Sequence, residues 1–155
     1  MNNILLTRID NRLVHGQVAV TWSNTLGANL IVVANDEVSE SKLEQRLMKI
    51  VAASQDIDIR FFSIDRTAKI IDKASPEQKI FLICKTPRDV RRLIDKGVKL
   101  DKVNIGNMHQ SEDKRQLSKK VFVDDKDVED LDYLKNKGID LFIQDIPGDK
   151  KIQYK

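Results

Sequence analysis

The stretch Asn3-Ile4-Leu5-Leu6-Thr7-Arg8-Ile9-Asp10-Asn11-Arg12-Leu13-Val14-His15-Gly16-Gln17-Val18 sets the fold class, because it reads in order as a strand, a turn and the opening of a helix. Asn3 to Thr7 is a short, mostly apolar run of the kind a buried strand carries, and Val18, Val20, Trp22 and Leu26 fit a short helix that Gly27 closes. Arg8, Asp10, Arg12 and His15 crowd into the turn between them. No other segment is so chemically dense.

A turn that leads into a helix presents unpaired backbone N–H groups and the positive end of the helix dipole, so it attracts an anion. Gly16 takes away the side chain that would block the approach. Arg8 and Arg12 each offer a guanidinium fork to phosphate oxygens, and both cations disfavour protonation of His15, which favours a neutral, nucleophilic imidazole. Asp10 is placed to hold one imidazole N–H or to align an arginine. The constellation suits a histidine that accepts a phosphoryl group. The plainer reading is a half-buried packing histidine with solvated arginines around it.

The same alternation continues outward from this stretch. Asn29 to Ala34 is a continuous apolar run, expected of a strand covered on both faces, and Asn35-Asp36 ends it. Ser41-Lys42-Leu43-Glu44 has the form of a capping box, and Leu43, Leu47, Ile50 and Val51 give an inward face to a helix over about 41–54, with Met48 in its core. Ile57 to Ser63 reads as a strand nearer the sheet edge, and Asp65 as the cap of a helix that turns Ala68, Ile71 and Ala74 inward before Ser75-Pro76. Lys79 to Cys84 is the next buried strand, and Thr86-Pro87 starts a helix that buries Val90, Leu93 and Ile94 and stops at Gly97. Lys102 to Ile105 is a short strand ending on Gly106, followed by a polar loop from Gly106 to Gln110. Lys119 to Val123 is another strand, Asp124-Asp125 opens a helix with Val128, Leu131 and Leu134, Ile139 to Ile143 is the final strand, and Lys150-Lys151 marks a solvated tail.

Strands alternating with helices predict a three-layer α/β fold with a mainly parallel sheet of about six or seven strands and helices on both faces. Ligands in such sheets bind beyond the carboxyl ends of the strands, where strand order reverses, and the His15 turn lies at that end. The loops at Asn35-Asp36, Arg66-Thr67, Lys85-Thr86 and Gly106 to His109 are expected on the same side.

A chain of 155 residues with 41% hydrophobic and 33% charged residues is expected to form one globular domain spanning 1–155. It has no apolar run of membrane-spanning length and no signal-peptide pattern, so a cytoplasmic location is expected. The lone Cys84 sits in an apolar run and reads as a small packing residue. A net charge of +3 with intermixed acids and few aromatics does not indicate nucleic acid. P-loop, dinucleotide-binding, zinc and serine-elbow patterns are absent, so His15 is expected to work without metal or organic cofactor. Phosphoryl exchange between nitrogens needs only in-line placement and donors around the equatorial oxygens.

The motif R-x-D-x-R-L-V-H-G-Q-V at Arg8 to Val18 resembles the signature of IIB components of the mannose-type (mannose, fructose, sorbose) sugar phosphotransferase system. Val32-Val33-Ala34-Asn35-Asp36 and Asn104-Ile105-Gly106 are similar to that family as well. The resemblance implies that His15 takes a phosphoryl group from a histidine of a IIA donor protein and passes it to a sugar held by the membrane IIC and IID permease components, at the inner face of the membrane. It implies Arg12 as a phosphate ligand and Arg8 and Asp10 as organisers of the loop. Asn35, Asp36 and Thr67 either border the phosphate or cap helices, and His109, which lacks flanking arginines, reads as a surface residue. Asn107 stands where the family usually has a second glycine, which bears on the shape of that loop. Two other readings stay open: a regulatory module that binds an anion or nucleotide with His15 unmodified, and a nucleic-acid binder using its lysines.

Overall fold

The computed structural model describes residues 3–155. Its strands are β1 (Ile4–Asp10), β2 (Leu30–Ala34), β3 (Asp58–Phe62), β4 (Ile80–Cys84), β5 (Lys102–Asn107), β6 (Arg115–Ser118), β7 (Val121–Val123), β8 (Asp140–Ile143) and β9 (Ile152–Gln153). The helices are α1 (Val18–Leu26), α2 (Asp36–Ser39), α3 (Lys42–Ala53), α4 (Ile64–Ile70), α5 (Pro87–Asp95) and α6 (Asp125–Asn136), with α4 running on into a 3-10 turn at Ile71–Lys73. Seven strands form one sheet in the order β3-β2-β4-β1-β5-β8-β9, parallel except for β9. The three-layer expectation is met: α1 and α3 pack on one face through Ala19, Trp22, Met48 and Ala52, while α4, α5 and α6 cover the other through Ile64, Leu93, Leu131 and Leu134.

Strand order reverses at β1, with β2, β3 and β4 to one side and β5 and β8 to the other. The loop leaving β1 therefore opens at the switch point of the sheet. Thr86 caps α5 ahead of Pro87, and Cys84 and Met48 are buried, as the sequence indicates.

Several expectations are corrected. β1 continues to Asp10, so Arg8 and Asp10 are strand residues rather than turn residues. Likewise β5 runs through Gly106 to Asn107, and Met108 is buried rather than part of a polar loop. The strand expected at Lys119 to Val123 is β7, paired with β6 in a separate two-stranded antiparallel ribbon. Ser63, not Asp65, caps α4; its side chain accepts from the Arg66 N–H. The basic tail forms β9 against β8 and buries Tyr154, whose hydroxyl donates to Asp132 at 2.8 Å.

α3 turns the opposite face inward. Gln45, Met48 and Ala52 are buried, while Leu43, Leu47 and Ile50 are 66, 57 and 62% exposed. The helix is oriented by a polar contact that hydrophobic periodicity does not register: Gln45 Nε2 donates to the carbonyls of Val38 and Ser39 at 2.8 and 3.2 Å and closes the end of α2. The Val38 carbonyl also accepts the Ser41 N–H at 3.0 Å, and burying Gln45 against this helix end keeps its amide satisfied while Met48 and Ala52 fill the core beside it.

Candidate active site

Side chains alternate along β1. Leu6 and Arg8 face the α1 side, where the Arg8 guanidinium lies 5.7 Å from the Trp22 ring centre, and Ile9 points into the opposite core. Arg8 is 1% exposed. Its Nη1 donates to Asn104 Oδ1 at 2.7 Å and to the carbonyls of Gln144 and Asp145 at 3.2 and 2.8 Å. Its Nε and Nη2 both donate to Asp10 Oδ2, at 3.3 and 3.1 Å, and Nη2 also reaches Asp145 Oδ1 at 3.5 Å. The sequence-based role of Arg8 as a fork for phosphate oxygens is therefore corrected: its donors are committed inside the protein, and what it holds is Asp10.

The space for that guanidinium comes from the neighbouring strand. Ile9 pairs with Ile105 but Asp10 with Asn107, so Gly106 is the extra residue of a bulge beside Arg8. Asn107 does not adopt the left-handed backbone that would call for a glycine, and it receives the Asn11 N–H on its carbonyl at 3.1 Å.

Beyond Asp10 the chain turns sharply, with the Leu13 N–H on the Asp10 carbonyl at 2.9 Å. Leu13 has φ 58°, a left-handed conformation costing a branched side chain on the order of 1–2 kcal/mol. Leu13 and Val14 offset that cost by burying 95% or more of their surface in the α1–α3 core. The loop is thus pegged by two apolar side chains and by Asp10, whose Oδ1 accepts the Arg12 N–H at 3.0 Å. Gly16 has φ 49°, and an added Cβ there would meet nothing within 4 Å, so glycine serves the turn rather than clearing space. Gln17 begins α1 without a side-chain cap, and no acidic residue occupies the first turn. The first N–H groups of α1 are left for another acceptor.

His15 is 22% exposed at its side chain and is contacted from two sides. Its Nε2 is 3.2 Å from Asp10 Oδ2, and Arg12 Nη2 is 2.8 Å from Nδ1 with Arg12 Nε 3.3 Å from Nε2. One tautomer satisfies the two strongest of these contacts: Nε2–H donates to the Asp10 carboxylate and the Nδ1 lone pair accepts from Arg12. The other tautomer sets Nε2 lone pair against carboxylate and Nδ1–H against guanidinium. Burial alone would raise the Asp10 pKa, but the His15 hydrogen bond, the Arg8 charge and the Arg12 N–H together outweigh it and hold the carboxyl below its ordinary value.

The remaining candidates divide. Asn35 caps α2 by accepting the Val38 N–H and donates to Asp89, and Asp36 accepts from the Ile64 N–H and Arg92. Thr67 is fully buried inside α4, with its hydroxyl donating to the Ser63 carbonyl, and so is corrected as a phosphate neighbour. His109 is exposed and lines a cleft together with Arg12. Sequence reasoning missed Asp145, Gln144, Trp22 and Lys120, which surround Arg8 or bind its partners; Asn104, a polar residue within an apolar strand, was the one visible signal. Among the described residues no group of three or more His, Cys, Asp or Glu could hold a metal ion, and no helix is long and apolar enough to cross a membrane.

Residues 4–155 match the family model described as PTS system sorbose subfamily IIB component. The chain is 58% identical over 151 residues to the N-acetylgalactosamine-specific phosphotransferase enzyme IIB component 1 of Escherichia coli (strain K12), covering 97% of this chain and 96% of that relative. The crystal structure of the N-acetylgalactosamine-specific IIB component 1 from Escherichia coli superimposes with a TM-score of 0.97 at 57% identity, over 99% of this chain and 100% of that one. A crystal structure of an N-acetylgalactosamine IIB component from Streptococcus pyogenes gives a TM-score of 0.90 at 39% identity, over 96% and 91% of the two chains.

Proposed function

We infer that His15 is the phosphoryl-carrying residue of this chain, which belongs to the sorbose-subfamily IIB components and is thus a phosphoryl-carrier subunit, and a phosphotransferase, of the sugar phosphotransferase system. IIB components work with IIA and with IIC and IID partners. The observation that carries the assignment is the opposed contact on one ring, carboxylate at Nε2 and guanidinium at Nδ1.

In this reading the Nδ1 lone pair attacks the phosphorus of a phosphohistidine on the IIA donor. The new N–P bond forms at His15 as the old one breaks, and the bonding pair returns to the donor's ring nitrogen. His15, keeping its Nε2–H, becomes a phosphorylated imidazolium whose positive charge faces the ionised Asp10. Arg12 swings from the Nδ1 lone pair to the equatorial oxygens of the transferring group, joined by the uncapped N–H groups of α1; such preorganised donors stabilise the loose transition state without reorganisation. Arg8 acts through Asp10 and is a positioning residue. Asn35 and Asp36 serve helix ends, Thr67 is spent on a bond within α4, and none of the three takes part.

The acceptor is a sugar presented by the IIC and IID permease components, with this chain, as a single IIB domain, docked at the inner face of the membrane. The named specificity of its relatives supports N-acetylgalactosamine as that sugar. The test is loading from phosphorylated IIA, read by intact mass and by acid-labile, alkali-stable phosphate mapped to a peptide. The expected site is His15 and not His109, with loading abolished in His15→Ala. An unmodified His15 beside tight anion or nucleotide binding would replace this reading with a regulatory module.

A further inference from the structure

Arg8 faces two carboxylates. Its Nη2 lies 3.1 Å from Asp10 Oδ2 and 3.5 Å from Asp145 Oδ1, and Lys120 Nζ takes the other Asp145 oxygen at 2.7 Å. A row of alternating charge therefore runs from the surface into the protein, through Lys120, Asp145, Arg8 and Asp10, and ends on the His15 ring, whose Nε2 is 3.2 Å from Asp10 Oδ2.

The main chain is fixed at both ends of the outer pair. The Asp145 carbonyl accepts from Arg8 Nη1 at 2.8 Å and from Trp22 Nε1 at 2.9 Å. Lys120 sits in the turn between β6 and β7 and accepts the Met108 N–H on its carbonyl at 2.9 Å, while the Phe122 N–H donates to the Met108 carbonyl at 3.0 Å, so the ribbon is tied to the end of β5. What remains variable is how the Asp145 carboxylate divides itself between two cations. Arg8 is almost fully buried, so an anion's pull on its guanidinium is weakly screened by water. The Lys120 side chain is half exposed, and an ion pair at such a position contributes little to stability by itself. Its effect lies in what it does to Asp145.

We propose that Lys120 and Asp145 are positioning residues for phosphoryl exchange at His15: Lys120 draws the Asp145 carboxylate toward itself and so leaves the Arg8 guanidinium to Asp10, a proposal that rests on His15 being the carrier. Without the lysine, Asp145 closes on Arg8, the buried guanidinium is pulled between two anions, and Asp10 loses part of the grip that keeps its Oδ2 on the Nε2–H of His15. The change reaches the ring because Asp10 both fixes its tautomer and balances the imidazolium formed on loading. The β6–β7 ribbon thereby has a task, which is to deliver one cation to Asp145.

The test is single-turnover loading from phosphorylated IIA at saturating donor, beside NMR signals of the His15 ring nitrogens in the unloaded chain. Lys120→Gln should slow the saturated rate about tenfold, within the range of coupling between contacting residues, and should shift the ring signals. Lys120→Arg should restore both. Lys119→Gln removes a neighbouring exposed cation that has no carboxylate partner among the described residues, and it should leave the ring signals in place. Asp145→Asn takes away the competing anion, so the double variant Lys120→Gln/Asp145→Asn should load faster than Lys120→Gln alone, a rescue that neither a docking role nor a purely structural one for Lys120 would produce. The Lys120 side chain is half exposed and has this one ion pair among the described residues, so its variants fold. A saturated rate equal to wild type, a loss seen only at low donor concentration, equal ring shifts in Lys119→Gln, or a double variant no faster than the single one would overturn the proposal. A wild-type chain that loads while Lys120→Gln loads equally well rejects the proposal alone, and a wild-type chain that never loads rejects the carrier reading beneath it.

Discussion

A methyl group on residue 106 would lie 2.1 Å from Cζ of Arg8 and 2.4 Å from both of its terminal nitrogens. Arg8 is a long side chain, but its guanidinium is buried and tied to Asp10, Asn104, Gln144 and Asp145, so it has nowhere to go. Gly106→Ala is expected to cost about 1–3 kcal/mol of stability by overpacking and to displace Asp10 from His15. Urea denaturation beside loading kinetics checks this; a variant with wild-type stability and wild-type loading would show that Arg8 has slack.

Asp10→Asn retains the shape but not the charge that balances the phosphorylated ring and fixes its tautomer. Loading should slow by roughly 10²- to 10⁴-fold. The loss of a charged partner for buried Arg8 should cost about 1–3 kcal/mol. Because the folded-state pKa is depressed, the stabilising effect is fully present above the ordinary value of 3.8 and is lost as pH falls through the lower folded value. The stability gap between wild type and Asp10→Asn should therefore be constant at neutral pH and narrow in acid. A gap that persists below the titration of Asp10 would mean its carboxyl is not ionised in the fold.

Arg12→Lys keeps one charge and loses the fork, and transfer is expected to slow by roughly 10- to 1,000-fold with little change in stability. Single-turnover loading resolves this, and an unchanged rate would make Arg12 a solvated surface residue.

Docking of the donor is expected to be steered by charge, and burial of Arg8 changes which charges do it: the rim is Arg12 with Lys119, since Lys120 is paired with Asp145 at 2.7 Å. Raising salt from about 50 to 500 mM should slow second-order loading while sparing transfer within a preformed complex. A second-order rate indifferent to salt would point to an apolar contact.

Tyr154 lies outside any sequence expectation of structure, yet it is buried with its hydroxyl on Asp132. Burial, and then that carboxylate, push its pKa far up, so it stays neutral across the working range. Tyr154→Ala is expected to cost about 3 kcal/mol. A loss below 1 kcal/mol by thermal or urea unfolding would show β9 to be only loosely attached.

The layered architecture and the place of His15 were legible because period and punctuation carry them: apolar runs, Gly27, Thr86-Pro87, and a polar turn after the first strand. What was hidden depends on contacts between distant segments. Arg8 reads as a phosphate fork in a turn until β5 supplies Gly106 and Asn104 and the loop after β8 supplies Asp145. Gln45 reads as helix surface until α2 offers it two carbonyls, and this reversed the expected face of α3. The β6–β7 ribbon was half visible, since Arg115–Ser118 has neither the length nor the burial that marks a strand in sequence.

The bulge at Gly106 has a consequence for anyone wishing to move this chemistry to another protein. The eleven residues from Arg8 to Val18 look like a portable cassette, but the side chain that anchors them needs a missing Cβ on one neighbouring strand, an amide at Asn104 and an acidic loop from a third strand. Grafted alone, the cassette would carry a buried cation into a host that has no room and no partners for it, and the host would either unfold locally or expel the arginine and let the aspartate drift from the histidine. The smallest transferable unit is therefore β1, β5 and β8 with the loops at their carboxyl ends, nearly half a sheet rather than a loop.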